Sequence, residues 1–156
     1  MTVVLRPLRD DELPAWIAQH ERWYAEDIAV HGGLGEEAAR RKAAADVAAL
    51  FPDGKVDPDS ALLAVEAGGE VVGSVWFAGR DGPEGPYAFL YAIQIDELHR
   101  GRGIGREAMR LFEQEARARG FATAMLNVFG GNERARGLYR SLGWREASVH
   151  MTKRLA

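Results

Sequence analysis

A glycine-rich turn at residues 100–105, with the sequence RGRGIG, constrains this chain more than any other segment. It lies between a predicted strand, Tyr87 to Ile95, and a predicted helix, Ile104 to Arg119. Glycine allows the backbone to approach a ligand closely, and the free N–H groups of a helix N-terminus attract anions. Guanidinium groups, whose planar forks match phosphate geometry, flank the turn at Arg100, Arg102 and Arg106. The turn therefore predicts a pyrophosphate site, although the same residues alone would also suit a tight, solvated connection.

Two other phosphate-binding motifs fit this turn poorly. A P-loop needs Lys followed by Ser or Thr after its last glycine, whereas Arg106 follows Gly105 here. A dinucleotide-binding fingerprint is matched by Gly103, Gly105 and Ala108, but it requires an acid about 20 residues later to hold a ribose. The next predicted strand, Ala122 to Phe129, carries no acid. Neither motif explains the turn.

The composition narrows the class of protein. A chain with 47% hydrophobic and 28% charged residues is typical of a globular protein, and 156 residues predict one domain, 1–156. The absence of cysteine excludes disulfides and thiolate nucleophiles, and the histidines lack metal-ligand spacing, so we predict no metal. The net charge of -3, without aromatic platforms among the basic residues, argues against nucleic acid. No apolar stretch has the length of a membrane span and the first residues do not resemble a signal peptide, so we expect a cytoplasmic protein.

The hydrophobic patterns predict the order strand, two helices, three strands, helix, strand, helix, strand. Val3 to Leu8 is the first strand, and Gly68 and Gly69 suit a hairpin turn between the second and third strands. The C-terminal tail predicts a half-buried last strand, because polar residues alternate with the apolar residues Ala147, Val149, Met151 and Leu155.

At this point the residues resemble the GNAT superfamily, the Gcn5-related N-acetyltransferases, across nearly the whole chain. Arg100, Gly103 and Gly105 match the acetyl-CoA motif Q/R-x-x-G-x-G/A of that family. The second half of the family pattern, N-x-x-A-x-x-x-Y-x-x-x-G, is matched by Asn132, Ala135, Tyr139 and Gly143. The resemblance implies a single-domain α/β fold, with a mixed, mostly antiparallel, V-shaped sheet of about six to seven strands and about four flanking helices.

The resemblance also implies acetyl-CoA as the co-substrate and assigns residues to it. The pyrophosphate would be held by the turn and the start of the helix, at Arg100, Gly101, Arg102, Gly103, Ile104, Gly105 and Arg106. Main-chain groups of Ile93, Gln94 and Ile95 would pair with the pantetheine arm, and the N–H of Ile95 would polarise the thioester carbonyl. Asn132 would bind the same arm or would only cap its helix. Tyr139 would protonate the departing thiolate or would only pack with its leucine neighbours.

The general base stays unassigned by this resemblance. A primary amine with a pKa near about 10.4 is almost fully charged at pH 7, so the site must help to deprotonate it. Family branches with a glutamate on the fourth strand place it where this chain has Phe89. The alternatives are Glu26, Asp27, His31 and Tyr91. Each of the acids is more simply explained as part of a solvated helix end.

The aromatic residues of the first helix suggest the kind of acceptor. If Trp23 or Tyr24 faces the cleft beside the two acids, a cationic amine would be held by cation–π contact and by charge. Trp16 and Trp76 are more simply explained as core. We therefore expect an N-acetyltransferase acting on a primary amine of a small molecule or peptide, without a membrane partner. The glutamate missing at Phe89 leaves open a catalytically idle CoA-binding sensor, and the resemblance implies a homodimer as one option.

Overall fold

The computed structural model describes residues 1–156 and contains one five-stranded sheet. The strands, in order across the sheet, are β1 (Val3–Pro7), β2 (Ser60–Ala67), β3 (Glu70–Gly82), β4 (Gly85–Ile95) and β5 (Ala124–Leu126). Neighbours are antiparallel except β4 and β5, which run parallel. The four helices are α1 (Leu13–His31), α2 (Glu36–Leu50), α3 (Ile104–Ala118) and α4 (Glu133–Ser141). The predicted α/β fold is confirmed, with five strands where six or seven were expected.

Helix α3 packs an apolar stripe against one face of the sheet. The buried residues of the stripe recur at helical spacing and are Ile104, Ala108, Met109, Phe112 and Ala116. The ring of Phe112 meets that of Phe77 edge to face, with 5.1 Å between their centroids. Burying a side chain such as Phe112 contributes about 1.5–3 kcal/mol. This packing fixes the N-terminus of α3 directly after β4.

Helices α1 and α2 cover the opposite face through an aromatic cluster. Trp16, Phe51 and Trp76 are buried there, and Nε1 of Trp16 donates to Oγ of Ser74 at 2.8 Å. His20 stacks on Trp16 with 4.8 Å between ring centroids, and burial lowers its pKa to about 4, so the ring is neutral at pH 7. The structure thus places Trp16 and Trp76 in the core. No helix combines the length and the apolar character that crossing a lipid bilayer requires.

Strands β4 and β5 pair over only three residues and then separate. Ala88 to Leu90 of β4 lie opposite Ala124 to Leu126, and the rest of β4 has no β5 neighbour up to its end at Ile95. A register shift on the other side of β4 leaves Tyr91 without an opposite residue on β3. The V-shaped opening implied by the family resemblance is therefore present at the end of β4.

The C-terminal tail does not form the predicted strand. Residues 145–156 have no regular secondary structure and make no backbone–backbone hydrogen bond. Val149, Met151 and Leu155 are 68%, 86% and 89% exposed. Alternation predicts that one face of a strand will be covered, but it does not specify the partner, and in this structure the tail pairs with no strand. The strand predicted at 122–129 is also shorter than expected, because β5 leaves β4 after Leu126.

Candidate active site

A cleft of about 900 Å³ opens at the end of β4, where the two strands separate. Its walls are the C-terminal half of α1, the end of β4 with the glycine turn, and the beginning of α4. It therefore brings together three segments that are distant in the sequence.

The glycine turn forms a cradle with space in front of its backbone. Gly101 and Gly103 have φ angles of 77° and 80°, which residues with a side chain rarely adopt. A Cβ at either position would meet no atom within 4 Å, so the space in front of the backbone is open. The first helical hydrogen bond of α3 joins Glu107 N to Gly103 O at 3.1 Å. The N–H groups of the three preceding residues therefore have no acceptor within the helix and are available to an anion.

The side chains around the cradle are tied to neighbouring elements. Nε of Arg100 donates to the carbonyl oxygen of Ile95 at 2.8 Å, and Nη2 of Arg106 donates to Oγ of Ser141 at 2.8 Å. Arg102 is exposed and lines a separate small pocket beside the N-terminal residues. Ile104 is buried in the core and, like Arg102, lines the small pocket and not the cleft. Arg100 and Arg106 thus add positive charge at the rim of the cleft.

The end of β4 presents its backbone to the opening. Ile93 and Ile95 pack into the core beneath α3, and Gln94, between them, projects from the opposite face of the strand. A Cβ on Gly105 would lie 3.8 Å from Cγ1 of Ile95 and 3.9 Å from Cδ2 of Leu138, so the turn fits closely between β4 and α4. An open strand edge beside an anion cradle fits an extended arm attached to a pyrophosphate, a combination that coenzyme A contains.

Two residues of the α4 segment border this opening. Oδ1 of Asn132 accepts from the backbone N–H of Ala135 at 3.2 Å and caps the helix, while its Nδ2 donates no hydrogen bond within the chain. Tyr139 is half-buried, with its ring 6.3 Å from that of Trp144. Burial, together with the charge of Asp27, raises the pKa of Tyr139 to about 12, so the phenol keeps its proton at neutral pH. Asn132 therefore caps its helix and Tyr139 packs beside Trp144. The Nδ2 group of Asn132 and the hydroxyl of Tyr139 remain available to a ligand.

The opposite wall comes from one side of α1. Trp23, Asp27 and His31 are spaced by four residues, so they share a helix face, and Glu26 lies next to them. Burial raises the pKa of Asp27, while the neighbouring His31 acts in the opposite direction. A Cβ on Gly131 would lie 3.5 Å from Nδ1 of His31, which places this end of α1 against the segment that precedes α4. The wall combines an aromatic ring with two carboxyl groups.

Other candidates from the sequence lie away from the cleft. Tyr91 stacks on Trp76 with 4.4 Å between centroids, and its hydroxyl accepts from Nη2 of Arg80 at 2.9 Å. The guanidinium of the same arginine lies 3.9 Å above the ring of Phe89. Tyr24 donates to Oδ2 of Asp46 on α2 at 3.0 Å. Of the four candidate bases, the structure brings Glu26, Asp27 and His31 into the cleft but not Tyr91.

The cleft is also lined by residues that the sequence analysis did not assign to the site, among them Val30, Arg134 and Leu138. Val30 lies three residues after Asp27, so helical spacing along α1 could have identified it. Leu138 precedes Tyr139 and was treated only as its packing partner. For Arg134 the sequence contains no signal beyond its position near the start of α4.

The cleft thus combines an open strand edge, an anion cradle and a facing wall of aromatic and acidic side chains. The sequence pattern of the Acetyltransferase (GNAT) family matches residues 5–144, and the chain belongs to this family. The family transfers acetyl groups and uses acetyl-CoA as the acyl donor. The family resemblance noted from the motifs is therefore confirmed.

Individual relatives agree with this assignment. The chain is 30% identical over 158 residues to the uncharacterized N-acetyltransferase YycN of Bacillus subtilis (strain 168), with 99% of this chain and 100% of YycN covered. The crystal structure of YycN has a TM-score of 0.90, with 29% identity and 99% of each chain covered. Mycothiol acetyltransferase of Thermobispora bispora is 31% identical over 151 residues, which cover 95% of this chain and 47% of that protein.

Proposed function

We propose that this protein is an acetyl-CoA-dependent N-acetyltransferase whose acceptor is a primary amine of a small molecule or peptide. The observation that carries the proposal is the cleft itself, which joins an anion cradle to an acidic, aromatic wall with Tyr139 between them. The cradle suits the phosphates of the donor. The wall suits a positively charged amine.

The donor would be held mostly by backbone groups. Peptide N–H groups of residues 101–106 would bind the pyrophosphate, and residues 93–95 would pair with the pantetheine arm as an added strand does. When bound, acetyl-CoA would supply a thioester whose acetyl group passes to the amine. The N–H of Ile95 would polarise the thioester carbonyl, an effect typically worth about 10²- to 10³-fold in rate. The free Nδ2 of Asn132 would donate to a carbonyl of the arm.

Asp27 is the base that the site favours. A catalytic base works best when its pKa lies near the working pH, and burial moves the pKa of Asp27 in that direction. Its charge also reaches Tyr139 across the cleft. Asp27 would take the proton from the ammonium group, while exposed Glu26 and the ring of Trp23 would attract and hold the cation.

Tyr139 would act as the general acid. Its raised pKa keeps the phenol protonated, and its hydroxyl makes no hydrogen bond within the chain that a ligand would have to break. It would give its proton to the thiolate as CoA departs. His31, next to Asp27, would orient or relay the proton that the base has taken.

A second function is favoured by one observation on β4. Phe89 occupies the position at which some family branches have a glutamate, so no acid stands there. The guanidinium of Arg80 covers the ring of Phe89. A protein with the cradle but without an effective base would bind CoA or acyl-CoA as a sensor or regulatory module.

An acetylation screen separates the two functions. The protein would be mixed with acetyl-CoA and a panel of amines, with products identified by mass spectrometry and free CoA measured as thiol. The panel would compare diamines with amino acids whose second group is anionic. We expect acetylated products, with the diamines favoured because Glu26 and Asp27 line the acceptor wall. Tight acetyl-CoA binding without product would favour the idle module, and no heat of binding at about 1 mM cofactor would exclude both functions.

A further inference from the structure

The side chain of Gln94 lies in the cleft on the side of the sheet that faces α1. Gln94 is half-buried on β4, opposite Ser74 of β3, and it lines the cleft. Ala92, two residues earlier and on the same face of the strand, packs in the aromatic cluster beneath α1. Ser74 bonds to Trp16 of the same helix. The amide of Gln94 therefore projects toward the helix that carries the acids of the cleft.

The backbone of Gln94 is held tightly while its amide group is free. A Cβ on Gly73 of β3 would collide with the carbonyl oxygen of Gln94, so the two strands approach each other closely at this point. The side-chain hydrogen bonds nearest in the sequence and across the strand join Arg100 to Ile95 and Trp16 to Ser74, and neither includes Gln94. Its side chain thus keeps both a donor and an acceptor for a ligand.

The proposed reaction brings the amine next to this amide. The N–H of Ile95, the adjacent residue on β4, would polarise the thioester carbonyl, and Asp27 on the facing wall would take a proton from the amine. An amine placed between these two groups lies beside the side chain of Gln94, which projects from the strand toward the same wall.

The protons of the amine determine what this amide can recognise. An ammonium group has three protons, of which Asp27 takes the first, and the lone pair then forms the bond to the thioester carbon. The second leaves nitrogen as the C–S bond breaks, and it replaces the proton that Tyr139 gives to the thiolate. The third stays on nitrogen in the product amide. A secondary amine has no such third proton, because a carbon takes its place.

We propose that Oε1 of Gln94 accepts a hydrogen bond from the proton that nitrogen retains, and that Gln94 thereby makes the site selective for primary over secondary amines. This inference rests on the proposed acetyl transfer. A methyl group in place of the retained proton would leave the amide oxygen unpaired in a closed site. A site that hydrogen-bonds a substrate N–H rejects analogues that lack it for this reason.

Rates with a primary amine and with its N-methyl derivative test this role. Gln94→Leu removes the amide and should lower kcat/KM for the primary amine about 10- to 100-fold, while the value for the N-methyl derivative changes less than about threefold. Gln94→Glu keeps an oxygen at this position and should keep the preference. The matched control is Gln114→Leu, the same change at an exposed residue of α3 outside the cleft, which should alter neither value.

Calorimetry with acetyl-CoA separates the outcomes. The Kd should be unchanged in Gln94→Leu, because the donor contacts proposed at residues 93–95 are main-chain contacts. An unchanged rate with the primary amine, or equal losses with both amines, would overturn the role of Gln94 and leave the proposed acetyl transfer standing. If no protein uses the N-methyl derivative, loss of the primary-amine rate in Gln94→Leu and its retention in Gln94→Glu decide the question. No turnover of any amine by the unmodified protein would overturn both proposals.

Discussion

The cleft has two walls that are built in opposite ways. They are the donor wall, which we propose binds acetyl-CoA, and the acceptor wall on α1, which we propose binds the amine. The donor wall is nearly continuous in sequence, from Ile93 to Arg106, and it offers mainly peptide N–H groups. The acceptor wall consists of side chains from a single face of α1, distant in sequence from the turn it opposes. A backbone site depends on glycines and on a helix start, which local sequence determines. A side-chain site depends on how one helix is packed against the rest of the molecule.

This difference has a consequence for substitution. On the donor wall most side chains point into the core or out to solvent, so few positions other than the glycines should affect cofactor binding. On the acceptor wall each side chain would contact the second substrate, so substitutions there should change turnover and selectivity instead.

The largest effect should come from filling the cradle. Gly103→Val places a branched side chain in the open space before the amides and should abolish acetyl-CoA binding in calorimetry, even at about 1 mM cofactor. The matched control is Gly120→Val, at a glycine with a similar positive φ of 91° outside the cleft. It carries comparable backbone strain and should bind normally. Equal losses in both variants would mean that strain, and not the cradle, explains the result.

The next largest effect should separate chemistry from binding. Tyr139→Phe removes only the hydroxyl and should lower kcat by roughly 10²- to 10⁴-fold, with little change in the affinity for acetyl-CoA. The hydroxyl has no hydrogen-bond partner in the structure, so the thermal midpoint should stay close to that of the unmodified protein. Unchanged turnover would remove Tyr139 from the mechanism and leave it a packing residue.

Removal of the base should have a smaller effect with a distinct pH profile. If Asp27 is the base, activity requires its ionised form, so activity should fall as pH drops through the pKa of Asp27, which burial raises above its ordinary value. Asp27→Asn should lower kcat by about 10²-fold and remove this acidic limb from the profile of kcat/KM. A limb that persists in the variant would assign the base to another group, with His31 the nearest candidate.

Asp27→Asn should also change the thermal stability of the protein, in a direction that the pKa shift of Asp27 predicts. Because the pKa of Asp27 is raised on folding, the folded state binds its proton more tightly, and this stabilisation is lost as pH rises through the folded pKa. Asp27→Asn should therefore raise the thermal midpoint more at pH 7 than at pH 3. An equal change at both pH values would show that the carboxylate is not desolvated.

The smallest effect should fall on acceptor selectivity. Glu26 is exposed, so its attraction for a cation is worth about 0.5–1 kcal/mol, and Glu26→Gln should raise the KM of a diamine roughly two- to fivefold. The KM of a monoamine should change less. Glu37→Gln, an exposed glutamate on α2 outside the cleft, is the control and should alter neither constant.

Several features of the fold and of the site could be predicted from local patterns. The apolar spacing from Ile104 to Ala116 gave the orientation of α3, and the glycines before it gave the cradle. The apolar pattern of α1 could not predict that Tyr24 contacts Asp46 while Trp23 lines the cleft, because the same helix is compatible with either residue at the cleft. Only the packing of α1 against α2 distinguishes them.

The tail shows the same limit at the level of strands. The alternation of apolar residues in the tail predicts one covered face, but it does not specify which strand covers that face. The length of β5 is likewise not predicted by its own sequence pattern. Strand pairing requires a second segment at the correct distance, and distance is a property of the folded molecule.

The sequence by itself determined most of the helices and strands, the glycine cradle and the family, because each depends mainly on residues that are close together in the chain. The tertiary structure decided which acids face Tyr139 and which candidates are held elsewhere, as Tyr91 is by Arg80. It also decided that the sheet ends at β5 with a free edge. The physical reason is that side-chain contacts and strand edges depend on the packing of distant segments, whereas backbone conformation depends mainly on neighbouring residues.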